Sequence, residues 1–176
     1  STSPGPAIFR HPRVGRDGKP FDVLKFRTMR HDGLAEVDRS HSPRYKVRLD
    51  SPAVTSVGRL LRRSGLDELP QLANVLRGEM ALIGIRPMVA PELAAEPAAF
   101  QSLYVRFRPG LSGLWQVEGR IAHLEHTGRT EHDVDWAHSR TLLGDLWLML
   151  RTPMAMARGC RAAAPAASMA ATPTTN

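Results

Sequence analysis

A mixed α/β (α+β) domain, mainly helical with an N-terminal β-hairpin and a few short strands, is the fold class that three features of the sequence predict. An Asp17-Gly18 pair stands between two apolar runs and marks a hairpin. Later segments return apolar residues at helical spacing, and Gly or Pro punctuates them. The 176 residues suffice for one domain with its own core and are too few for two independent ones.

The hairpin spans Ala7 to Met29, with Ile8, Phe9 and Val14 in one arm and Phe21, Val23, Leu24 and Phe26 in the other. Arg30 to Pro52 is polar and holds Gly33 and Pro43 without a sustained apolar period, which predicts a mobile connection or lid. Val57, Leu60 and Leu61 restore helical spacing. Leu66 to Gly78 reads as a short helix with Asp67 at its N-cap, Glu68 in its positive first turn, Pro70 where a missing N–H costs little, and Gly78 as the stop. Leu69, Leu72, Ala73 and Leu76 share one apolar face of it. Met80 to Ile85 is expected as a strand, Ala90 to Phe107 as a helix, and Pro109-Gly110 to Gly113 as a tight loop leading into Trp115-Gln116-Val117. Leu142 to Leu150 forms a helix apolar over much of its circumference, either core or an amphipathic helix at the membrane surface. After Gly159 the chain turns to Ala, Pro, Ser and Thr, so 160–176 is expected to be a disordered tail. No internal repeat is present.

Composition narrows the setting. Cys160 is the single cysteine, so no internal disulfide can form, which fits a reducing, cytoplasmic environment. No apolar run approaches the ~20 residues of a spanning helix, and Ser1 to Arg10 lacks the order of a signal peptide. The net charge of +7 is uneven: Ser1 to Gly65 carries 14 Lys and Arg against 6 Asp and Glu, and Leu66 to Asn176 carries 10 against 11. The basic half attracts phosphate, whether of a nucleotide sugar, an anionic lipid surface or a nucleic acid, unless it is only a solvated face.

Taken singly, the chemistry-bearing residues have bland readings. Asp67 is an ordinary cap, Glu68 a favourable first-turn charge, Arg62-Arg63 a solvated patch, and Trp115 a packing residue. Gln116 either binds substrate or satisfies a turn. His123 and His126 stand three apart without a third ligand at useful spacing, so zinc is not expected. No GxGxxG, Walker or GxSxG sequence occurs.

Three blocks change those readings together. They are Gly5-Pro6 through Arg13-Val14-Gly15 to Lys25-Phe26-Arg27-Thr28-Met29; Leu66-Asp67-Glu68-Leu69-Pro70-Gln71-Leu72 with Asn74 to Gly78; and Arg108-Pro109-Gly110-Leu111-Ser112-Gly113 with Trp115-Gln116-Val117. In content and order they resemble the bacterial sugar transferases, the monotopic polyprenyl-phosphate hexose-1-phosphate transferases, from about Ser3 to Gly159. The resemblance implies a catalytic domain over 1–159 and a two-step exchange. An aspartate attacks the sugar-bearing phosphate of a UDP-sugar, UMP leaves, and polyprenyl (undecaprenyl) phosphate takes the phosphosugar. It implies Asp67 and Glu68 as the catalytic pair, with Mg²⁺ near Glu68. It implies Lys25, Arg27, Arg62, Arg86, Arg108, Gln116 and Asp133 as substrate-binding residues. The same resemblance implies the cytoplasmic face of the inner membrane and a re-entrant membrane helix, which would lie ahead of Ser1. Departures from the family pattern are Ile85 in Gly84-Ile85-Arg86-Pro87 where Pro is usual, Gly65 where Ser or Thr is common, and Asp135-Trp136 for an aromatic pair.

The residue types suit that chemistry. A diphosphate leaves only when its charge is neutralised, which carboxylate-held Mg²⁺ and guanidinium forks accomplish. A helix start at Asp67 is expected to keep it ionised beside backbone N–H groups. The rivals are a non-catalytic basic module for nucleic acid or anionic lipid, and an inactive fragment. Two acids facing a basic cluster weaken simple polyanion binding, so no nucleic acid partner is expected.

Overall fold

The computed structural model describes residues 4–30, 49, 51–122 and 129–162. Strands β1 (Ile8–Val14) and β2 (Pro20–Phe26) form the expected antiparallel hairpin, in register from Ile8 opposite Phe26 to Val14 opposite Pro20. Its turn places Asp17 and Gly18 at φ 58° and 71°, the left-handed pair that Asp-Gly accommodates. The connection expected as a lid lies almost wholly outside the described residues. Its two ends meet: Met29 bridges Val54, and the Thr55 N–H donates to the Thr28 carbonyl at 3.0 Å.

Helix α1 (Ser56–Ser64) follows, capped by the Thr55 hydroxyl, which accepts from Gly58 N–H at 2.9 Å. Gly58 lies so close to β2's exit that a Cβ there would sit 2.0 Å from the Thr28 carbonyl oxygen. Leu66–Glu68 is a 3₁₀ turn, and the α-helical part, α2, runs only from Gln71 to Leu76. The leucines of this segment's apolar face are turned outward: Leu69, Leu72 and Leu76 are 48%, 42% and 89% exposed, while Gln71 and Asn74 are buried. Asn74 explains the inversion. Its side chain accepts from Leu24 N–H at 3.0 Å and donates to the Asp22 carbonyl at 2.8 Å, so this amide takes the inward position against β2.

Strands β3 (Ala81–Ile83) and β4 (Gly110–Ser112) pair in parallel, so the segment expected as a tight loop at Pro109 to Gly113 is a short strand. The expected helix from Ala90 to Phe107 is two, α3 (Ala90–Ala94) and α4 (Ala98–Tyr104). Pro97 separates them, because it pushes Glu96 out of the helical region and has no N–H to continue the ladder. Helices α5 (Leu114–Ala122), α6 (Arg129–Ser139) and α7 (Leu142–Ala162) complete the order. The core joins β3 and its exit (Ile83, Ile85, Met88) to Phe100, Tyr104, Val117, Trp136 and Leu148. Tyr104 ties it to the hairpin, donating to the Val14 carbonyl at 2.7 Å and accepting Met88 N–H at 2.9 Å. Among the described residues no helix is long and apolar enough to cross a membrane. Helix α7 runs past 159 to Ala162, and 163–176 lies outside the described residues, as do His123 and His126.

Candidate active site

Asp67 and Glu68 stand on the 3₁₀ turn between α1 and α2. The cap of this turn is Gly65, not Asp67. At φ 72° and ψ 6°, Gly65 ends α1 in the left-handed conformation that a Ser or Thr would occupy at a cost. The turn thereby projects two adjacent carboxylates back toward the end of β2 and the last turn of α1.

Cations meet them there. Lys25 of β2 places its ammonium 2.9 Å from Glu68 Oε1, both side chains being part-buried. Arg62 of α1 donates its Nε–H to the Thr28 hydroxyl at 2.8 Å, and its charge acts on Asp67. Burial is the largest influence on Asp67 and raises its pKa above the ordinary value of 3.8. The Glu68 charge raises it further, against the opposing pull of Lys25, Arg62 and Asp67's own backbone N–H. The charge on Asp67 is therefore costlier than that of an exposed carboxylate, and Lys25, Arg62 and the backbone N–H are the groups that favour it. Burial also lowers the Arg62 pKa, with Asp67 acting the other way.

Beside this pair opens a cavity of about 220 Å³, with Glu68 and Gln116 at polar points of a largely apolar wall that includes Leu69, Leu111 and Met149. The Ser112 and Thr152 hydroxyls, 2.8 Å apart, tie β4 to α7 in the same wall. Glu68, the carboxylate expected near Mg²⁺, meets Lys25 here and offers a metal only a partial ligand set. No group of three or more His, Cys, Asp or Glu able to hold a metal occurs among the described residues, so substrate phosphates and water would supply the rest, as Mg²⁺ prefers.

The other expected site residues are dispersed. Arg27 donates to the carbonyls of Pro4 at 2.6 Å and Gly5 at 3.2 Å, holding the N-terminal segment. Arg86 pairs with Glu92 and sits with Arg13 and Tyr104, and buried Asp133 acts electrostatically on the same Tyr104. Burial and then Arg86 press Arg13 down to about 10, while burial pushes Tyr104 up to about 12. Arg108 lines a different cavity with Arg16, Arg106 and Arg140. The structure thus joins Lys25, Arg62, Asp67, Glu68 and Gln116, and does not join Arg108 to them. Sequence reasoning missed Thr28 and Asn74 as positioning residues. Asn inside a helix is a poor former with strong hydrogen-bonding needs, and that was the available signal for Asn74.

Known proteins place this geometry in a family. Residues 1–159 match the model of the bacterial sugar transferases. The exopolysaccharide production protein ExoY of Sinorhizobium fredii is 40% identical over 157 residues, which cover 84% of this chain and 69% of that protein. A UDP-glucose:undecaprenyl-phosphate glucose-1-phosphate transferase of Caulobacter vibrioides is 41% identical over 160 residues, covering 85% of this chain and 56% of its own length. The undecaprenyl-phosphate galactose phosphotransferase of Salmonella typhimurium is 37% identical over 88% of this chain, which spans only 34% of it. The chain belongs to the bacterial sugar transferase family, and it is a sugar phosphotransferase.

Proposed function

We propose that this chain transfers a hexose 1-phosphate from a UDP-sugar to polyprenyl phosphate, releasing UMP, through a phosphosugar carried on Asp67. The observation that carries this reading is the pair of adjacent carboxylates met by Lys25 on one and Arg62 on the other. An oxygen of Asp67 bonds to the sugar-bearing phosphorus as the bond to the bridging oxygen breaks, and UMP departs with the electron pair. An oxygen of the acceptor phosphate then attacks the same phosphorus and Asp67 returns as a carboxylate. A carboxylate destabilised by burial gains by losing its charge in the bond to phosphorus, and that charge leaves on UMP. Lys25 and Arg62 set positive charge where the phosphates must lie. Mg²⁺ when bound would neutralise the diphosphate, and Glu68 is the residue that would hold it, which leaves Asp67 for the attack on phosphorus.

The apolar cavity beside Glu68 suits the first prenyl unit of the acceptor, and the exposed leucines of α1, α2 and α7 suit the surface of the membrane in which that acceptor lies, on its cytoplasmic face. The test is UMP release from UDP-sugars before any acceptor is added, at no more than one equivalent per chain, with labelled sugar phosphate left on the protein. Asp67→Asn abolishes both and keeps the fold, since Asn preserves the shape and removes a charge that burial disfavours. UMP that appears only with acceptor present points to direct transfer instead, and activity in excess chelator removes the metal.

A further inference from the structure

Away from the carboxylates, a cavity of about 180 Å³ opens among Arg16 at the hairpin turn, Arg106 and Arg108 ahead of β4, and Arg140 ahead of α7, with Phe107 and Trp136 in its wall. Arg140 is held in place: its guanidinium lies 5.1 Å from the Trp136 ring centroid and 5.6 Å from that of Phe107, and it reaches Asp145 at 3.4 Å. The Trp136 indole N–H donates to the same Asp145 at 2.9 Å, which fixes the ring beneath. Arg16 has Asp17 at 3.4 Å. Asp145 and Asp17 so offset part of the charge of two arginines. The side chains of Arg106 and Arg108 are exposed and make no hydrogen bond or ion pair among the described residues. Like charges around one concavity, without an acid among its lining residues, favour the entry of an anion, and guanidinium forks favour phosphate.

The surroundings say which phosphate. Arg140 stands two residues before Leu142 and Leu143, which are 85% and 77% exposed and open the apolar run of α7. Guanidinium groups followed directly by exposed leucines match a ligand with a charged head and hydrocarbon behind it. A soluble phosphate gains nothing from the leucines. The cavity shares only Ile83 with the one beside Glu68, whose α7 lining begins at Met149, roughly 10 Å along the helix from Leu142 at 1.5 Å per residue. We infer that the Arg16, Arg106, Arg108 and Arg140 cavity binds the phosphate of an anionic phospholipid and so fixes the orientation of α7 on the bilayer.

The inference is independent of the transfer reaction, and its test uses no UDP-sugar or polyprenyl phosphate. The whole chain is sedimented with phosphatidylcholine vesicles containing a minor fraction of phosphatidylglycerol. R106Q/R108Q should weaken binding by about tenfold or more, because each basic group at an anionic surface contributes about 1 kcal/mol. R10Q/R30Q removes the same charge from exposed positions in the basic half and should weaken it far less. L142S/L143S should also weaken binding, and unchanged melting temperatures show that each variant is folded. Equal losses from the two arginine pairs overturn the site in favour of diffuse attraction. An L142S/L143S variant that binds vesicles as well as the parent overturns the lipid assignment, and saturable binding of inorganic phosphate without vesicles then identifies a soluble anion.

Discussion

Asp67 is where the site's chemistry and its energetic cost meet. Its pKa is raised by burial and by Glu68, and Lys25 and Arg62 limit the rise. With Asp67 as the nucleophile proposed above, the acid limb of kcat/KM for UMP release should lie above the ordinary carboxylate range, because that role requires the ionised form. Arg62→Gln removes a charge that favours the ionised form, so the limb should move to still higher pH, and a pH profile of the variant checks it. A limb that stays in place separates Arg62 from Asp67. Stability follows the same sign. An acid whose folded pKa is raised contributes stability that is complete below its unfolded pKa and is lost as pH rises through the folded value. Asp67→Asn should therefore raise the melting temperature at neutral pH and leave it unchanged in strong acid. The carboxylate pair and its two nearest cations were legible because they stand inside compact blocks of fixed spacing. The directions of Arg86, Arg108 and Asp133 were not, since spacing carries no information about which cavity a side chain enters.

Between the strands and helices, two contacts fix how the carboxylates are presented. Gly58 lets α1 touch the backbone at Thr28, and Thr28 in turn holds Arg62. A Gly58→Ala methyl group has no room, so α1 must shift, at a cost of about 1–3 kcal/mol. Urea unfolding should show that loss, and UMP release should fall further than stability does because Arg62 moves with the helix. Tyr104→Phe tests the second contact. It leaves the part-buried Val14 carbonyl and the buried Met88 N–H without their partner and should cost about 1–3 kcal/mol by the same measurement, without altering the acid limb. The hairpin, α1 and β3 could be read from turn residues and apolar period. The break at Pro97 was legible in principle, since Pro forces the residue before it out of the helix. The strand at Gly110–Ser112 was not legible: three residues carry too little period, and their pairing with Ala81–Ile83 is set by contacts distant in sequence. The outward leucines of α2 defeated the pattern for a different reason. Periodicity identifies a face, and only the buried Asn74 decides that the polar one turns inward.

At the scale of the whole molecule, the apolar surface is divided between the core and the outside of particular helices. Leu60 on α1 and Leu150 on α7 are 66% and 73% exposed, and these two helices pack against one another. Leu148, two residues from Leu150, is 4% exposed and belongs to the core. On α7 Trp147 keeps Arg151 at 4.4 Å from its ring centroid, an arrangement in which an aromatic ring enters the interface while the charge stays at headgroup level. One helix therefore has a core side and an exposed apolar side, and substitution tests whether the exposed side meets lipid. Leu148→Ala should cost about 2–5 kcal/mol in unfolding experiments. Leu60→Ser and Leu150→Ser should leave stability within about 0.5 kcal/mol, as exposed positions do. Full burial of a leucine is worth about 1.5–3 kcal/mol, so partial insertion of each should be worth roughly tenfold in vesicle affinity. The loss should appear with neutral phosphatidylcholine vesicles as well as anionic ones, because it comes from hydrocarbon contact and not from charge. If both serine variants sediment with neutral vesicles as the parent chain does, the exposed leucines of α1 and α7 do not face lipid, and the lipid acceptor must reach Glu68 from another side.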